Sequence, residues 1–144
     1  MARRTKTDEL LDFEISFYEK LLRAYPNFLD VLIPLGDAYT RRGLHEKGLQ
    51  VDLHLTQLRG EEPLMWYNLA CSYSLLNRID DALVALRRAL ELGYNDVDYL
   101  LKDPDLSTLR QSAQYRQFLV SFPRLAVKTV PHPARPSAQP ERTN

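Results

Sequence analysis

The residues best suited to chemistry in this chain are one cysteine, three histidines and two short aspartate pairs. His45, His54 and His132 are scattered, and neither an HExxH segment nor a Cys/His spacing typical of zinc sites accompanies them. Cys71 has no histidine at a spacing that would activate it, so its pattern favours packing over nucleophilic attack. The sequence therefore predicts no metal site, no cofactor and no catalytic cysteine.

The aspartate pairs could serve as paired carboxylates for acid–base catalysis. Asp103 and Asp105 stand in "KDPDL", and Asp80 and Asp81 stand where another helix is expected to begin. Aspartate followed by proline is typical of a helix cap, because the carboxylate accepts free backbone N–H groups. We interpret both pairs as caps, and we expect the protein not to be an enzyme.

Composition and charge restrict the class of partner. The 19 Lys and Arg residues balance the 19 Asp and Glu residues, whereas a general nucleic-acid binder needs a basic excess. No apolar run approaches the roughly 20 residues that a membrane-spanning helix requires. The start, "MARRTKTDEL", lacks the apolar core of a secretory signal, and a single cysteine cannot form an internal disulfide. We expect a cytoplasmic protein that binds neither nucleic acid nor membrane.

The elements that position any binding surface are predicted to be helices. Apolar residues recur at spacings of three and four, and runs of β-branched residues are absent. Caps and breakers place the main helices at about 8–24, 29–42, 45–58, 63–77 and from 80 to a stop at Gly93. The first helix opens with either a capping box from Thr5 to Asp8 or a simple cap at Thr7.

Shorter elements are predicted to follow. Asp96 would cap a brief helix, Asp103-Pro104 would restart the chain for one turn, and Ser112 would cap a last helix to about Val120. From Pro123 onward the sequence is rich in proline and basic residues and has no periodicity, which is typical of disorder.

An internal repeat organises the central helices. "LIPLGDAY" at 32–39 aligns with "WYNLACSY" at 66–73, an offset of 34 residues. This pattern resembles the tetratricopeptide repeat, with its W-x2-L-G-x2-Y signature followed by a spaced alanine. The second unit carries the following positions of that signature: Trp66, Leu69, Ala70, Tyr73, Ala82, Leu86 and Ala89.

The resemblance implies an all-α fold: a short right-handed superhelical stack of antiparallel helix pairs with atypical end caps. It covers about residues 8–120, and the closing segment resembles the C-terminal cap of many small bacterial proteins of this family. The predicted organisation is a disordered start (1–7), a helical domain (8–122) and a disordered basic tail (123–144). Within the domain we expect a half repeat (8–28), two repeats (29–62 and 63–96) and a cap (97–122).

The first repeat departs from the family pattern at two places. Asp52 stands where an aromatic or aliphatic residue is usual, opposite Leu86 of the second repeat. Pro34 lies inside the opening helix, where it would free the carbonyl of Asp30 and bend the first turn.

Tetratricopeptide arrays usually bind protein segments on the concave face formed by the first helix of each pair. The resemblance therefore implies a non-catalytic adaptor or scaffold that binds a peptide or helix of another protein. The predicted groove residues are Ile33, Asp37, Arg41, Leu64, Tyr67, Asn68, Cys71 and Leu75. We expect Tyr67 and Leu75 to be apolar anchors and Asp37 to favour a basic group on the ligand. The alternative is that these residues are only solvated surface or packing between helices.

The first helix carries two adjoining apolar stripes, wider than a surface helix needs. The alternative function is that of a structural subunit that self-associates, for example as a homodimer. The residues predicted to form the contact are Leu10, Phe13, Phe17, Tyr18 and Leu21. The competing interpretation is that both stripes pack inside the end cap.

Overall fold

The computed structural model describes residues 3–126, and every regular element in that range is helical. Five longer helices come first: α1 (Lys6–Ala24), α2 (Leu29–Arg42), α3 (His45–Leu58), α4 (Pro63–Leu75) and α5 (Ile79–Glu91). Shorter pieces follow: α6 (Val97–Leu100), a 3-10 turn (Pro104–Leu106), α7 (Ser107–Arg110), α8 (Ala113–Phe118) and a 3-10 turn (Pro123–Leu125). The predicted all-α class is confirmed.

The start of α1 is set by a capping box. The Asp8 backbone N–H donates to the Thr5 hydroxyl and the Thr5 N–H donates to the Asp8 carboxylate, both at 3.1 Å. Thr5 is thus the cap, and Lys6 and Thr7 belong to the first helical turn. The predicted start at Asp8, and the predicted disorder of residues 6 and 7, are corrected accordingly.

The two central helix pairs repeat with the same offset as the sequence. Helices α4 and α5 begin 34 residues after α2 and α3, respectively. The turn inside each pair contains a left-handed residue, Gly43 (φ 81°) in the first and Asn77 (φ 57°) in the second. In both turns the next residue donates its N–H back into the preceding helix, Leu44 to Tyr39 and Arg78 to Tyr73.

Packing follows chain order. Each of the first five helices packs against its neighbours along the chain, and the short C-terminal pieces pack on α4 and α5. One apolar cluster joins α1, α2 and α3, and a second joins α4, α5 and the C-terminal segment. Ala70 and Ala82, two small residues of the repeat signature, are both fully buried in the second cluster.

The ordered chain extends past the predicted end of the domain at residue 122. Residues 123–125 form a 3-10 turn, and Leu125 is buried in the second apolar cluster together with Phe118. The sequence predicts disorder from Pro123 because the segment lacks periodicity, but one apolar residue after a proline turn suffices to anchor it. The rest of the predicted tail, residues 127–144, lies outside the described residues, as do residues 1 and 2.

Within residues 3–126, no helix combines the length and the apolar character that crossing a membrane demands.

Candidate functional site

A concavity of about 440 Å³ lies between α2, α3, α4 and the segment that follows α5. We call it the groove. It is lined by the following residues: Ile33, Gly36, Asp37, Thr40, Asp52, Leu55, Leu64, Tyr67, Asn68, Cys71, Ser72, Tyr94, Asp96, Tyr99, Asp103 and Asp105. Helices α2 and α4 supply one face each, because their 34-residue offset places equivalent positions side by side.

Six of the eight predicted groove residues line this concavity: Ile33, Asp37, Leu64, Tyr67, Asn68 and Cys71. The other two do not. Arg41 and Leu75 lie one helical turn beyond Asp37 and Cys71 on the same helices. Arg41 instead forms an exposed ion pair with Asp37, with 3.5 Å between nitrogen and oxygen.

Tyr67 is part of the groove wall and is not an open anchor. Its side chain is only 3% exposed, and its ring stacks on Tyr94 with 4.2 Å between centroids and 6° between planes. Its hydroxyl donates to Asp103 at 2.6 Å. The prediction that Tyr67 offers a free apolar surface is therefore wrong, because the C-terminal segment folds over this ring. The same burial, together with the hydrogen bond to Asp103, raises the pKa of the Tyr67 phenol far above its ordinary value.

Asp103 is a cap, as predicted, and it also organises the groove. It is 2% exposed, and one carboxylate oxygen accepts the Asp105 N–H at 3.0 Å at the start of the 3-10 turn. The other oxygen accepts the Tyr67 hydroxyl and lies 3.7 Å from the Cys71 sulfur. The carboxylate therefore joins the C-terminal segment to α4 across the floor of the groove.

Asp52 is the second buried carboxylate of the groove. It is 7% exposed and accepts a hydrogen bond from the Ser72 hydroxyl at 2.5 Å. Burial raises the pKa of Asp52 to about 6, although the Ser72 hydrogen bond opposes this change. Leu86, which stands 34 residues later in the second helix pair, is fully buried. The first helix pair therefore has a carboxylate at the position where the second pair has a core leucine, and this carboxylate lines the groove.

The electrostatics of the groove are negative. Five aspartates line it, and its described lining contains neither lysine nor arginine. Burial, and next the carboxylate of Asp103, raises the pKa of Asp105. The Asp103 charge is also the main cause of the raised pKa of Tyr99.

This environment makes Cys71 an inert thiol. Burial, followed by the charge of Asp103, holds the pKa of Cys71 well above its ordinary value, so the thiolate is scarce at neutral pH. Among the described residues, no group of three or more His, Cys, Asp and Glu side chains is arranged to hold a metal ion. The chemistry that this site offers is the acceptance of hydrogen bonds and positive charge.

Sequence reasoning missed several residues of the site: Asp52, Tyr94, Asp96, Tyr99, Asp103 and Asp105. The last five belong to the C-terminal segment, which meets α4 only through long-range packing. Asp52 did leave a signal, because it occupies an apolar position of the repeat pattern.

The proposed self-association residues of α1 divide into two sets. Leu10, Phe13 and Phe17 are exposed by 70%, 74% and 54% of their surface. Tyr18 and Leu21 are half-buried, and Tyr18 packs against the first apolar cluster. The face of α1 that carries Leu11, Ile15, Tyr18 and Leu22 therefore packs inside the fold, and Leu10, Phe13 and Phe17 face outward.

Comparison with known proteins adds a partial relative. No family model matches the chain. Over 93 residues the chain is 34% identical to a chloroplastic protein of Arabidopsis thaliana. The match covers 60% of this chain but only 27% of that protein, whose name states a location and no ligand or activity.

Proposed function

We propose that this chain is a tetratricopeptide-like adaptor that binds a peptide or helix of another protein in the groove. The observation that carries the proposal is the groove itself, a concavity built from equivalent faces of α2 and α4. The 34-residue repetition of helix starts and left-handed turns supports a repeat stack of right-handed superhelical form. The protonated, buried thiol of Cys71 suits a reducing compartment, for which we propose the cytoplasm.

Binding accounts for the groove better than catalysis does. A catalytic cysteine needs a lowered pKa and access, whereas the Cys71 thiol is buried and its pKa is raised. The carboxylate of Asp103 is occupied by donors from its own chain. Ile33 and Leu64 are exposed in the lining and Asn68 is half-buried, so the accessible surface mixes apolar and polar groups, as binding pockets do.

Site-specific photo-crosslinking tests the proposal. A photoreactive phenylalanine analogue is placed at Ile33, which lines the groove, and separately at Val84, which lies on the exposed side of α5. Both side chains are exposed, so both variants should fold. After irradiation in an extract of the source cells, the Ile33 variant should give discrete products that the Val84 variant lacks. The same products from both positions would contradict a groove-specific function.

Self-association through α1 is a second candidate, and the outward stripe of Leu10, Phe13 and Phe17 favours it. Three large apolar side chains on consecutive turns of a terminal helix form the kind of patch that interfaces use. Light scattering after gel filtration should then show a mass above 16.7 kDa that rises with concentration. Phe13→Glu should return the protein to a monomer, and a wild-type protein that stays monomeric at high concentration would refute this function.

A further inference from the structure

We infer that the groove receives a lysine or arginine side chain of the bound segment, and that Asp52 is the carboxylate that pairs with it. The inference rests on the proposed function, because it specifies the chemistry of the segment that the groove holds.

A carboxylate at position 52 destabilises the fold. Leu86, at the equivalent place of the second pair, fills the core as the repeat pattern requires. Asp52 is nine-tenths buried, and the only hydrogen bond to its carboxylate within the described chain comes from the neutral hydroxyl of Ser72. None of the ion pairs formed among residues 3–126 includes it. A buried charge without a partner is unfavourable, so a cation from outside the fold would complete this site.

One oxygen of Asp52 remains available to such a cation. The Ser72 hydroxyl holds Oδ2 at 2.5 Å, which fixes the orientation of the carboxylate. The other oxygen, Oδ1, accepts no hydrogen bond from the described residues. A Cβ atom added at Gly36 would stand 3.4 Å from this oxygen. Asp52 and Gly36 both line the groove, and because glycine has no side chain, no Cβ atom covers Oδ1 at this position.

The surroundings select for positive charge. Asp103 and Asp105 lie across the groove from α2, and their negative charges repel a carboxylate on the ligand. Tyr94 and Tyr99 supply aromatic surface to the same groove, which suits the aliphatic stem and the charged head of a basic side chain. The exposed acid at the rim, Asp37, is already paired with Arg41, so the buried carboxylate is the stronger receptor.

A random peptide library displayed on phage tests the inference even though the natural partner is unidentified. Selections are run in parallel on the full-length wild type, on Asp52→Asn and on Asp80→Asn. The first variant keeps the shape of the side chain and an oxygen for the Ser72 hydroxyl, and circular dichroism confirms its fold. Asp80 is an exposed residue at the start of α5, outside the groove, so its substitution removes the same charge without touching the site.

Wild type and Asp80→Asn should both enrich peptides with a lysine or arginine beside apolar residues, and Asp52→Asn should not. If the wild type enriches peptides without a basic residue, or if Asp52→Asn keeps the basic preference, the inference is overturned while groove binding stands. If the wild type enriches no peptide at all, the proposed function fails and the inference falls with it.

A selected peptide and its copy with norleucine in place of the basic residue then give the size of the effect. Norleucine keeps the apolar stem and removes the charge. The change should weaken binding to the wild type and to Asp80→Asn at least about tenfold, and should alter binding to Asp52→Asn by less than about threefold. Equal losses in all three proteins would assign the charge preference to another carboxylate.

Discussion

Replacing Asp52 with asparagine should make the protein more stable, and only at a pH where the aspartate is charged. Burial raises the pKa of Asp52 from its ordinary value of 3.8 to about 6. In the unfolded chain this carboxyl ionises near its ordinary value, whereas in the folded chain ionisation is resisted. The folded state therefore holds more protons between pH 4 and 6, and the free energy of unfolding falls as the pH rises through that window.

The magnitude follows from the difference between the two pKa values, which corresponds to roughly 3 kcal/mol. At pH 8 the wild type bears this whole cost. Asp52→Asn removes the charge and keeps a hydrogen-bond acceptor for Ser72, so it should be more stable by about 2–3 kcal/mol. Below pH 4 both proteins carry a neutral side chain here, and the difference should shrink to a few tenths of a kcal/mol.

The other titratable groups that line the groove with Asp52 do not reverse this dependence of stability on pH. Cys71 on α4 is neutral, and Asp103 and Asp105 on the C-terminal segment carry the same charge as Asp52. His45, at the start of α3, lowers the pKa of Asp105, and burial of Asp52 remains the main cause of its own raised pKa.

Urea denaturation at several pH values, followed by circular dichroism, measures the difference directly. Asp80→Asn is the matched control and should show no difference that grows between pH 4 and 7. A variant Asp52→Asn that is less stable than wild type at pH 8 would refute the reasoning, because the carboxylate would then be a net stabiliser. A difference that does not depend on pH would refute the raised pKa.

Three further outcomes follow from the packing around the groove. Tyr67→Phe keeps the stacked ring but leaves Asp103 without its hydroxyl donor, so urea denaturation should show a loss of about 1–3 kcal/mol; no loss would contradict the bond. Cys71 should react with a thiol reagent at pH 8 much more slowly in the folded protein than in urea, and equal rates would contradict its burial. Ala82→Leu should cost about 1–3 kcal/mol in thermal melts, whereas Val84→Leu, at an exposed position, should cost little; equal melting temperatures would contradict the close packing of α4 and α5.

Local signals in the sequence predict most of the helix boundaries. The left-handed turn at Gly43 and the proline at Pro63 mark a helix end and a helix start, and both lie where the prediction puts them. Two other boundaries differ by one or two residues: α4 ends at Leu75 and not at 77, and α5 begins at Ile79, so Asp80 and Asp81 lie in its first turn and do not cap it as predicted. At the start of α1 the sequence allowed two caps, and the structure has the box from Thr5 to Asp8. It satisfies two backbone donors at once, whereas a cap at Thr7 would satisfy one.

Only part of the groove lining could be predicted from the sequence. The residues of α2 and α4 follow from helical spacing, because equivalent positions of repeated helices share one face. The residues of the C-terminal segment do not, since the contact between Tyr67 and Asp103 spans 36 positions and has no local pattern. Asp52 was visible in the sequence only as a residue that departs from the repeat pattern. In the structure its carboxylate lines the groove and accepts a hydrogen bond from Ser72.

We propose that the groove is where a protein segment binds. Its most direct test is a titration of isotope-labelled protein with a peptide selected on the wild type, followed by backbone amide NMR shifts. We expect the largest shifts on α2, on α4 and near Asp103 and Asp105, and we expect Asp52→Asn to lose them. Shifts confined to Leu10, Phe13 and Phe17 of α1, with an unchanged groove, would contradict it.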